Sequence, residues 1–485
     1  MGSGFAGIAA ATTLASKGYS VTIVEKNDDV GGRARVWQKD GYTFDMGPSW
    51  YWMPDVFERY FERFGHKVDS QYDLVRLDPS YQVIFGPENQ WDVPAGIPAL
   101  KDFFEGIEVG AGAQLEKFMA EAKVKYDLGM NELVYTPSLS WSEFIRPKVI
   151  AGLLRTSAIG SMRGHVAKHF QDRRIRQLLE FPVLFLGSTP QHTPALYSLM
   201  NYADMALGTW YPMGGMGKII DAMIRVAKEQ GVTLRTGAPV EQILVEQGRA
   251  VGVRTRDGEL HADVVVASAD YHHVEQELLG SEHRSYSERY WSDRVMAPSS
   301  LLFYMGFSKR LPKLLHHNLF FESSFDQHAR EIYDEPQWPS RPLMYICAPS
   351  ITDASVAPEG HENLFALIPI ATGLTDTEDV RDHYSRQVIE RISGQCGFDV
   401  EPHMVLHRSY CINDFKSDYN AFGGNAYGLA STLKQTAVGK PSMKSKRVKG
   451  LYYAGQLTVP GPGVPPSLIS GQVVADLIAK EHQTA

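Results

Sequence analysis

The first 25 residues contain, in order, a group of glycines, an apolar run and a short β-branched segment. An alanine-rich run at positions 8–15 predicts a helix, and Gly18 is placed to end that helix in a left-handed cap. Tyr19–Val24 then has the short apolar pattern of a strand, with Glu25 at its end. The pattern therefore predicts a helix followed by a strand at the start of the chain.

The middle and the end of the chain carry further strands and helices. Asp257-Gly258 lies between two strand-like runs and predicts a tight hairpin turn. After Gly455 a loop rich in glycine and proline leads directly into an apolar helix, which is atypical of a flexible linker. The predicted elements are strands at 232–235, 240–246, 251–256, 259–262, 262–270 and 451–455, and helices after the turn at 210–216 and over 467–480.

These elements predict an α/β protein, α+β overall, with two discontinuous domains. We expect residues 1–65, 208–285 and 445–485 to form a Rossmann-like cofactor-binding domain. The intervening residues 66–207 and 286–444 would then form a mixed α/β substrate domain. Its predicted elements include helices at 111–133 and 372–394 and strands at 299–307 and 363–370.

Composition narrows the classes of function. The chain has 485 residues, with 48 Lys and Arg against 56 Asp and Glu, so its net charge of −8 argues against a nucleic-acid partner. Three scattered cysteines exclude a disulfide scaffold and a four-cysteine zinc site, and they fit a reducing compartment. The sequence has neither an apolar run of about 18 residues nor a signal-peptide pattern, so we expect a cytoplasmic protein.

The glycines at the start of the chain follow a dinucleotide-binding pattern. Gly2, Gly4 and Gly7 give the spacing Gly-x-Gly-x-x-Gly in front of the predicted helix, where backbone amides can approach a pyrophosphate. Glu25 ends the next strand, where a carboxylate accepts ribose hydroxyls and repels the 2′-phosphate of NADP. Only Met1 precedes the motif, in place of the strand that normally holds it, so we expect weak cofactor binding.

A second glycine pair, in Gly31-Gly32-Arg33, follows soon after the acid, which is uncommon in plain NAD enzymes. Five further blocks occur along the chain, at 44–49, 186–215, 348–360, 414–428 and 460–465. In these blocks and their order, the chain resembles the bacterial-type phytoene desaturases, which are carotenoid desaturases of the FAD-dependent amine oxidase superfamily. It departs from their pattern in the C-terminal loop, where Gln456, Leu457 and Val459 replace two small residues and a histidine.

This resemblance implies that FAD is the cofactor and indicates which residues hold it. The Gly32-Arg33 turn would lie against the flavin and its pyrophosphate, and the backbone of Val240 would hold the adenine. The loop after Gly455 would close over the flavin ring. With the first glycine motif, the implied FAD-binding residues are Gly2, Gly4, Gly7, Glu25, Gly32, Arg33, Pro48, Ser49, Val240, Gly455, Gln456, Gly463 and Val464.

The resemblance further implies an oxidoreductase that desaturates a carotenoid precursor, converting phytoene to a more conjugated polyene such as lycopene. Alternatives are a desaturase of a later, hydroxylated carotenoid (3,4-desaturase type), a flavin amine oxidase, and a flavin-free isoprenoid-binding protein similar to the Rab GDP-dissociation inhibitors. A single dinucleotide fingerprint leaves oxygen or a membrane quinone as the expected electron acceptor. Because the substrate would be a lipophilic polyene, we expect peripheral association with a membrane surface.

Few residues offer catalytic chemistry of their own. Asp45 is a candidate base, with a turn cap as the alternative role. The rings of Trp50, Trp52 and Trp210 could face a developing cation, with packing in the core as the alternative. The pair His272-His273 has no carboxylate or cysteine at ligand spacing, so no metal site is expected. Two amphipathic stretches, Tyr51–Arg63 and Val149–Met162, could be interfacial helices, with packing on the protein's own core as the alternative.

Overall fold

A computed structural model describes residues 1–145, 147, 160–186 and 189–483 of the chain. The predicted amphipathic stretch Val149–Met162 therefore lies outside the described residues as far as position 159, and so do Gly187 and Ser188. The described helices are α1 (Phe5–Ala15), α2 (Pro54–Glu62), α3 (Ile97–Ile107), α4 (Ala111–Leu128), α5 (Met162–His169), α6 (Arg173–Glu180), α7 (Leu199–Asn201), α8 (Gly217–Glu229), α9 (Tyr271–Glu277), α10 (Glu288–Ser292), α11 (Phe325–Tyr333), α12 (Glu378–Cys396), α13 (Ile412–Tyr419) and α14 (Val464–Gln483).

Eighteen strands accompany these helices in the described part of the chain. They are β1 (Thr22–Val24), β2 (Val36–Lys39), β3 (Tyr42–Asp45), β4 (Leu74–Arg76), β5 (Tyr81–Gly86), β6 (Asn89–Val93), β7 (Trp210–Pro212), β8 (Thr233–Arg235), β9 (Val240–Glu246), β10 (Arg249–Thr255), β11 (Gly258–His261), β12 (Val265–Ala267), β13 (Ser299–Phe307), β14 (His317–Phe320), β15 (Met344–Cys347), β16 (Glu362–Ile370), β17 (Met404–Tyr410) and β18 (Leu451–Tyr453). This mixture of helices and sheets confirms the predicted class.

A seven-stranded sheet with the order β17-β13-β16-β15-β14-β5-β6 is the largest layer of the molecule. Its strands β13 and β16 pair antiparallel, from Ser299 opposite Ile370 to Phe307 opposite Glu362. Every residue of β13 is buried, because alternate side chains pack on α12 and on the main core of the protein. All seven strands come from the segments 66–207 and 286–444.

The start and the end of the chain pack against each other through α1 and α14. Gly471 lies so close to α1 that a Cβ atom there would come within 2.2 Å of the Ala6 carbonyl oxygen. Strand β1 pairs in parallel with β8, and β12 pairs in parallel with β18. Three distant parts of the sequence thus meet in the proposed cofactor domain.

The amphipathic stretch Tyr51–Arg63 packs inside the protein. Helix α2 begins within it, and the apolar side chains of that helix are buried in the main core. Phe57 and Phe61 are 1% and 0% exposed, so the interfacial interpretation of this stretch is wrong and the core-packing alternative applies. None of the described helices combines the length and the apolar character needed to cross a membrane.

Met1 and Gly2 lie between β1 and β12, which differs from our expectation that Met1 could not support the glycine loop. The Gly2 amide donates to the Val24 carbonyl at 2.8 Å, and the Met1 amine donates to the Val266 carbonyl at 2.8 Å. The Ser268 amide donates in turn to the Met1 carbonyl at 2.9 Å. A single residue is enough for backbone pairing with a strand edge. These bonds therefore anchor the loop to β1 on one side and to β12 on the other. Beyond Met1, the two strands border a groove of about 1010 Å³.

Candidate active site

A cavity of about 400 Å³ opens where the parallel strands β1 and β12 end. Ligands bind at this edge of Rossmann-like sheets. One of the predicted FAD residues, Gly7, lies behind the loop, where a Cβ atom would come within 2.0 Å of the Gly2 carbonyl oxygen. The predicted residues that line the cavity are Gly2, Gly4, Glu25, Gly32, Arg33, Pro48, Ser49, Val240, Gly455, Gln456, Gly463 and Val464.

The two glycine turns touch each other at the base of the cavity. The Gly31 amide donates to the Ser3 carbonyl at 2.9 Å, and a Cβ atom on Gly32 would lie 3.3 Å from the Cα of Gly4. Helix α1 begins at Phe5, so its free amides face the cavity. A helix N-terminus approached this closely by a second backbone turn fits a pyrophosphate.

Glu25 is a buried carboxylate, 6% exposed, that joins the first turn to β1. Its Oε2 accepts the Ser3 amide at 2.7 Å and the Ser3 hydroxyl at 2.8 Å. Its Oε1 accepts the Asn27 amide at 2.9 Å. A carboxylate oxygen can accept two hydrogen bonds, so Oε1 keeps capacity for a ribose hydroxyl while the carboxylate also holds the loop in place.

Arg33 is a cation held at the wall of the cavity. One of its terminal nitrogens donates to the Asn425 carbonyl at 3.2 Å, and its guanidinium lies 4.9 Å from the centre of the Tyr419 ring. Burial lowers the pKa of Arg33. Its buried Nε has no hydrogen-bond partner among the described residues. The N–H of this Nε is therefore suited to donate to an anionic or carbonyl oxygen of a flavin nucleotide.

The C-terminal loop closes one side of the cavity. The Gly455 amide donates to the Ser470 hydroxyl at 2.9 Å, and the Gln456 side-chain amide donates to Asn425 at 2.8 Å. Asp270 accepts the Phe422 amide at 3.1 Å, which ties a distant loop to the end of β12. The sequence prediction missed Asn425 and Asp270 as site residues. The block at 414–428 was the available signal for Asn425.

Beyond the flavin motifs, the cavity continues into an aromatic chamber. The rings of Trp50 and Trp52 lie 5.1 Å apart at its wall. The hydroxyls of Ser49 and Tyr345 are 2.8 Å apart, which draws Ser49 toward this end of the cavity. Tyr427 adds another hydroxyl-bearing side chain to the wall. The chamber can therefore exclude water around an apolar ligand while it offers a few polar contacts.

The two catalytic candidates are not among the described residues that line the cavity. The carboxylate of Asp45 accepts the Met216 amide at 2.8 Å and the Gly217 amide at 3.0 Å, at the N-terminus of α8. Burial raises the pKa of Asp45 to about 6. The indole of Trp210 donates to the Leu207 carbonyl at 2.9 Å. Asp45 is thus a helix cap in the structure, and neither residue enters the mechanism below.

The comparisons with known proteins agree with this geometry. Residues 5–479 match the family model described as flavin containing amine oxidoreductase. The chain belongs to this family. It is 41% identical over 482 residues to a carotenoid 3,4-desaturase of Haloarcula japonica, covering 99% of this chain and 97% of that protein. It is 34% identical to a zeta-carotene-forming phytoene desaturase of Myxococcus xanthus, covering 98% and 92%.

A solved structure shows the same fold. An oxidoreductase from Methanosarcina mazei superimposes with a TM-score of 0.62 at 17% identity, over 99% of this chain and 98% of that one. The family match and the long alignments confirm the predicted carotenoid desaturase family, the oxidoreductase class and FAD as the cofactor. The flavin-free binding protein considered above is therefore not supported.

Replacing Glu25 should weaken FAD binding. We expect Glu25→Ala to raise the Kd for FAD on the order of tenfold to a hundredfold, because a hydrogen bond to a charged group is worth about 1.5–3 kcal/mol. Isothermal titration of flavin-stripped protein measures the change. Glu241→Ala is the control, because this half-exposed residue of β9 is not among the described residues that line the cavity. Unchanged affinity in Glu25→Ala would contradict a contact between this carboxylate and the ribose of FAD.

Proposed function

We propose that the protein catalyses the FAD-dependent desaturation of a carotenoid, removing hydrogen from adjacent carbon atoms of the polyene chain. The observation that carries this proposal is the continuity of the cavity. The residues that fit the nucleotide, such as Glu25 and Arg33, share one cavity with the aromatic chamber around Trp50 and Trp52. A polyene in the chamber would therefore lie next to the flavin.

The residues of the chain bind and orient the substrate, and the redox chemistry belongs to the cofactor. When bound, FAD supplies a hydride acceptor. Trp50, Trp52 and the surrounding apolar side chains exclude water and align the substrate with the ring system. The faces of the two indoles can stabilise positive charge that develops along the polyene. We propose oxygen or a membrane quinone as the final electron acceptor.

Two substrates remain as candidates. Phytoene, with lycopene as a possible product, is the substrate that the resemblance favours. A later, hydroxylated carotenoid is favoured by the higher identity to the 3,4-desaturase and by the hydroxyls of Ser49, Tyr345 and Tyr427 at the chamber wall. Phytoene has no polar group to pair with these hydroxyls, whereas a hydroxylated carotenoid does. The chamber therefore supports the second candidate specifically.

Product analysis with both substrates tests the proposal. Purified protein with FAD and liposomes should turn one of the two into a more conjugated polyene without gaining oxygen. If the hydroxylated carotenoid is the substrate, Tyr427→Phe should lower its kcat/KM relative to phytoene by about two- to twelvefold, from about 0.5–1.5 kcal/mol for a neutral hydrogen bond.

The control for this substitution is Tyr384→Phe, which removes a hydroxyl that donates to the Pro339 carbonyl at 2.6 Å, away from the cavity. An oxygenated product from either substrate would overturn the proposed reaction. An unchanged preference in Tyr427→Phe would argue against recognition of the substrate hydroxyl by this residue.

We also propose that residues 139–145 contact a membrane surface. Three large apolar side chains are exposed there: Leu139 (40%), Trp141 (64%) and Ile145 (70%). The backbone between them is fixed, because Glu143 accepts the amides of Leu139 and Ser140 at 2.8 and 3.0 Å. A rigid turn that presents an indole and aliphatic side chains is suited to the interface of a bilayer.

The double variant Trp141→Ser/Ile145→Ser should bind vesicles more weakly. Each large apolar side chain that enters a membrane contributes about 1.5–3 kcal/mol when fully buried, so we expect a loss of at least about tenfold in partitioning. Vesicle co-sedimentation gives the partition coefficient. Val109→Ser, at an apolar side chain that is 94% exposed elsewhere, is the control. Equal partitioning of the double variant and the unmodified protein would contradict the proposed surface.

A further inference from the structure

A cluster of three potential metal ligands lies behind the aromatic chamber. His316 precedes β14, His317 begins that strand, and Cys347 ends β15. The antiparallel register places His317 directly opposite Cys347. One ligand atom from each of the three side chains lies within 4.8 Å of the others. The side chains are 4%, 0% and 4% exposed, respectively, so they belong to the interior of the protein.

Both imidazoles are oriented as metal ligands usually are. The Nδ1 of His316 lies 2.8 Å from the Thr352 hydroxyl, and the Nδ1 of His317 lies 2.7 Å from the Tyr345 hydroxyl. The Nε2 of each ring is buried and has no hydrogen-bond partner in the described part of the chain. A ligating histidine typically uses one ring nitrogen for the metal and the other for a hydrogen bond that fixes the ring.

We propose that His316, His317 and Cys347 bind one transition-metal cation of the Zn²⁺ class. Two imidazoles and one thiolate suit a cation of borderline softness. Ligand atoms in a tetrahedral zinc site lie roughly 3.3–3.8 Å apart, from bond lengths of about 2.0–2.3 Å. The cluster can reach this spacing if each separation of up to 4.8 Å closes by at most about 1.5 Å. Sequence analysis could not find the site, because only strand pairing joins its members.

The surroundings of the cluster favour a cation. The ring of Tyr211 lies 4.5 Å from the ring of His316, and its hydroxyl donates to Asp353 at 3.3 Å, which holds that carboxylate near the cluster. The Asp353 carboxylate, together with a metal-bound thiolate, would offset the charge of a divalent ion in this interior.

A second histidine cluster provides a contrast. Glu121, His165 and His169 also come within 4.8 Å of one another. There, however, the Lys125 ammonium lies 3.2 Å from the Nε2 of His165 and donates to the Ser198 hydroxyl at 3.0 Å. A lysine already satisfies that nitrogen and repels a cation. The cluster behind the chamber has no such cation among the described residues.

The proposed ion would support the chamber without entering it. The ring of His317 stacks on Trp50 at a centroid distance of 4.1 Å, with the planes 13° apart. Trp50 lines the cavity and has Trp52 and Tyr81 as aromatic neighbours at 5.1 and 5.5 Å. Fixing His317 would therefore fix the position of the indole. The site is separate from the flavin motifs, so its test does not depend on the proposed reaction.

Metal analysis of the full-length protein tests the proposal. Protein produced in medium with Zn²⁺ should contain about one zinc per chain. X-ray absorption should find a shell of one sulfur at about 2.3 Å and nitrogens at about 2.0 Å. Co²⁺ in place of Zn²⁺ should give d–d bands in magnetic circular dichroism, which flavin lacks. These measurements use the unmodified chain, so they do not depend on the folding of a variant.

Variants then assign the ligands. Cys347→Ser and His317→Asn should each lower zinc affinity by at least about a hundredfold, since losing even a supporting residue around a metal costs about 10–100-fold. Cys396→Ser, a second buried cysteine outside the cluster, should keep full zinc content. Metal at background level in the unmodified protein, a zinc shell without sulfur, or equal zinc content in Cys347→Ser would overturn the proposal. A buried water molecule would then be the occupant.

Discussion

The contact between two glycine turns is the constraint on which the cofactor site depends. The backbones at Gly4 and Gly32 lie so close that a Cβ atom on Gly32 would be 3.3 Å from the Cα of Gly4. Glu25 holds the first turn by accepting the Ser3 amide and hydroxyl at 2.7 and 2.8 Å. A side chain on Gly32 would therefore push the turns apart and close the space for a pyrophosphate. Arg33 then adds positive charge at the same point.

The seven-stranded sheet forms part of the wall of the aromatic chamber, the other half of the site. Strand β13 is buried on both faces, so its alternate residues contribute to two different cores. Leu302 extends from it into the cavity wall, while its neighbours Leu301 and Phe303 pack on the side of α12. This arrangement makes the chamber rigid and apolar because a central strand cannot shift by one residue without exchanging its two faces. A rigid, apolar chamber can hold a long polyene against a flat ring system.

His317, the first residue of β14, connects the sheet to the chamber. His317 stacks on Trp50, and the Tyr345 hydroxyl lies between Ser49 and His317 at 2.8 and 2.7 Å. Polar groups buried at such a place are costly unless every one finds a partner. A cation between the two unpartnered nitrogens and the thiol would resolve that cost. The proposed metal ion, which lies outside the substrate chamber, would then keep the wall of the chamber ordered.

The sequence alone determined the α/β class through its local spacing, and its resemblance to the carotenoid desaturases indicated the family and the FAD cofactor. Gly2, Gly4, Glu25 and Arg33 all line the cavity of the structure, and helix α1 and strand β1 follow the predicted pattern. Only the tertiary structure decided that Asp45 caps α8 and that α2 is buried. It also brought Asn425 to the flavin side and His317 opposite Cys347. Those roles depend on packing between residues tens to hundreds of positions apart, and no local pattern records that packing.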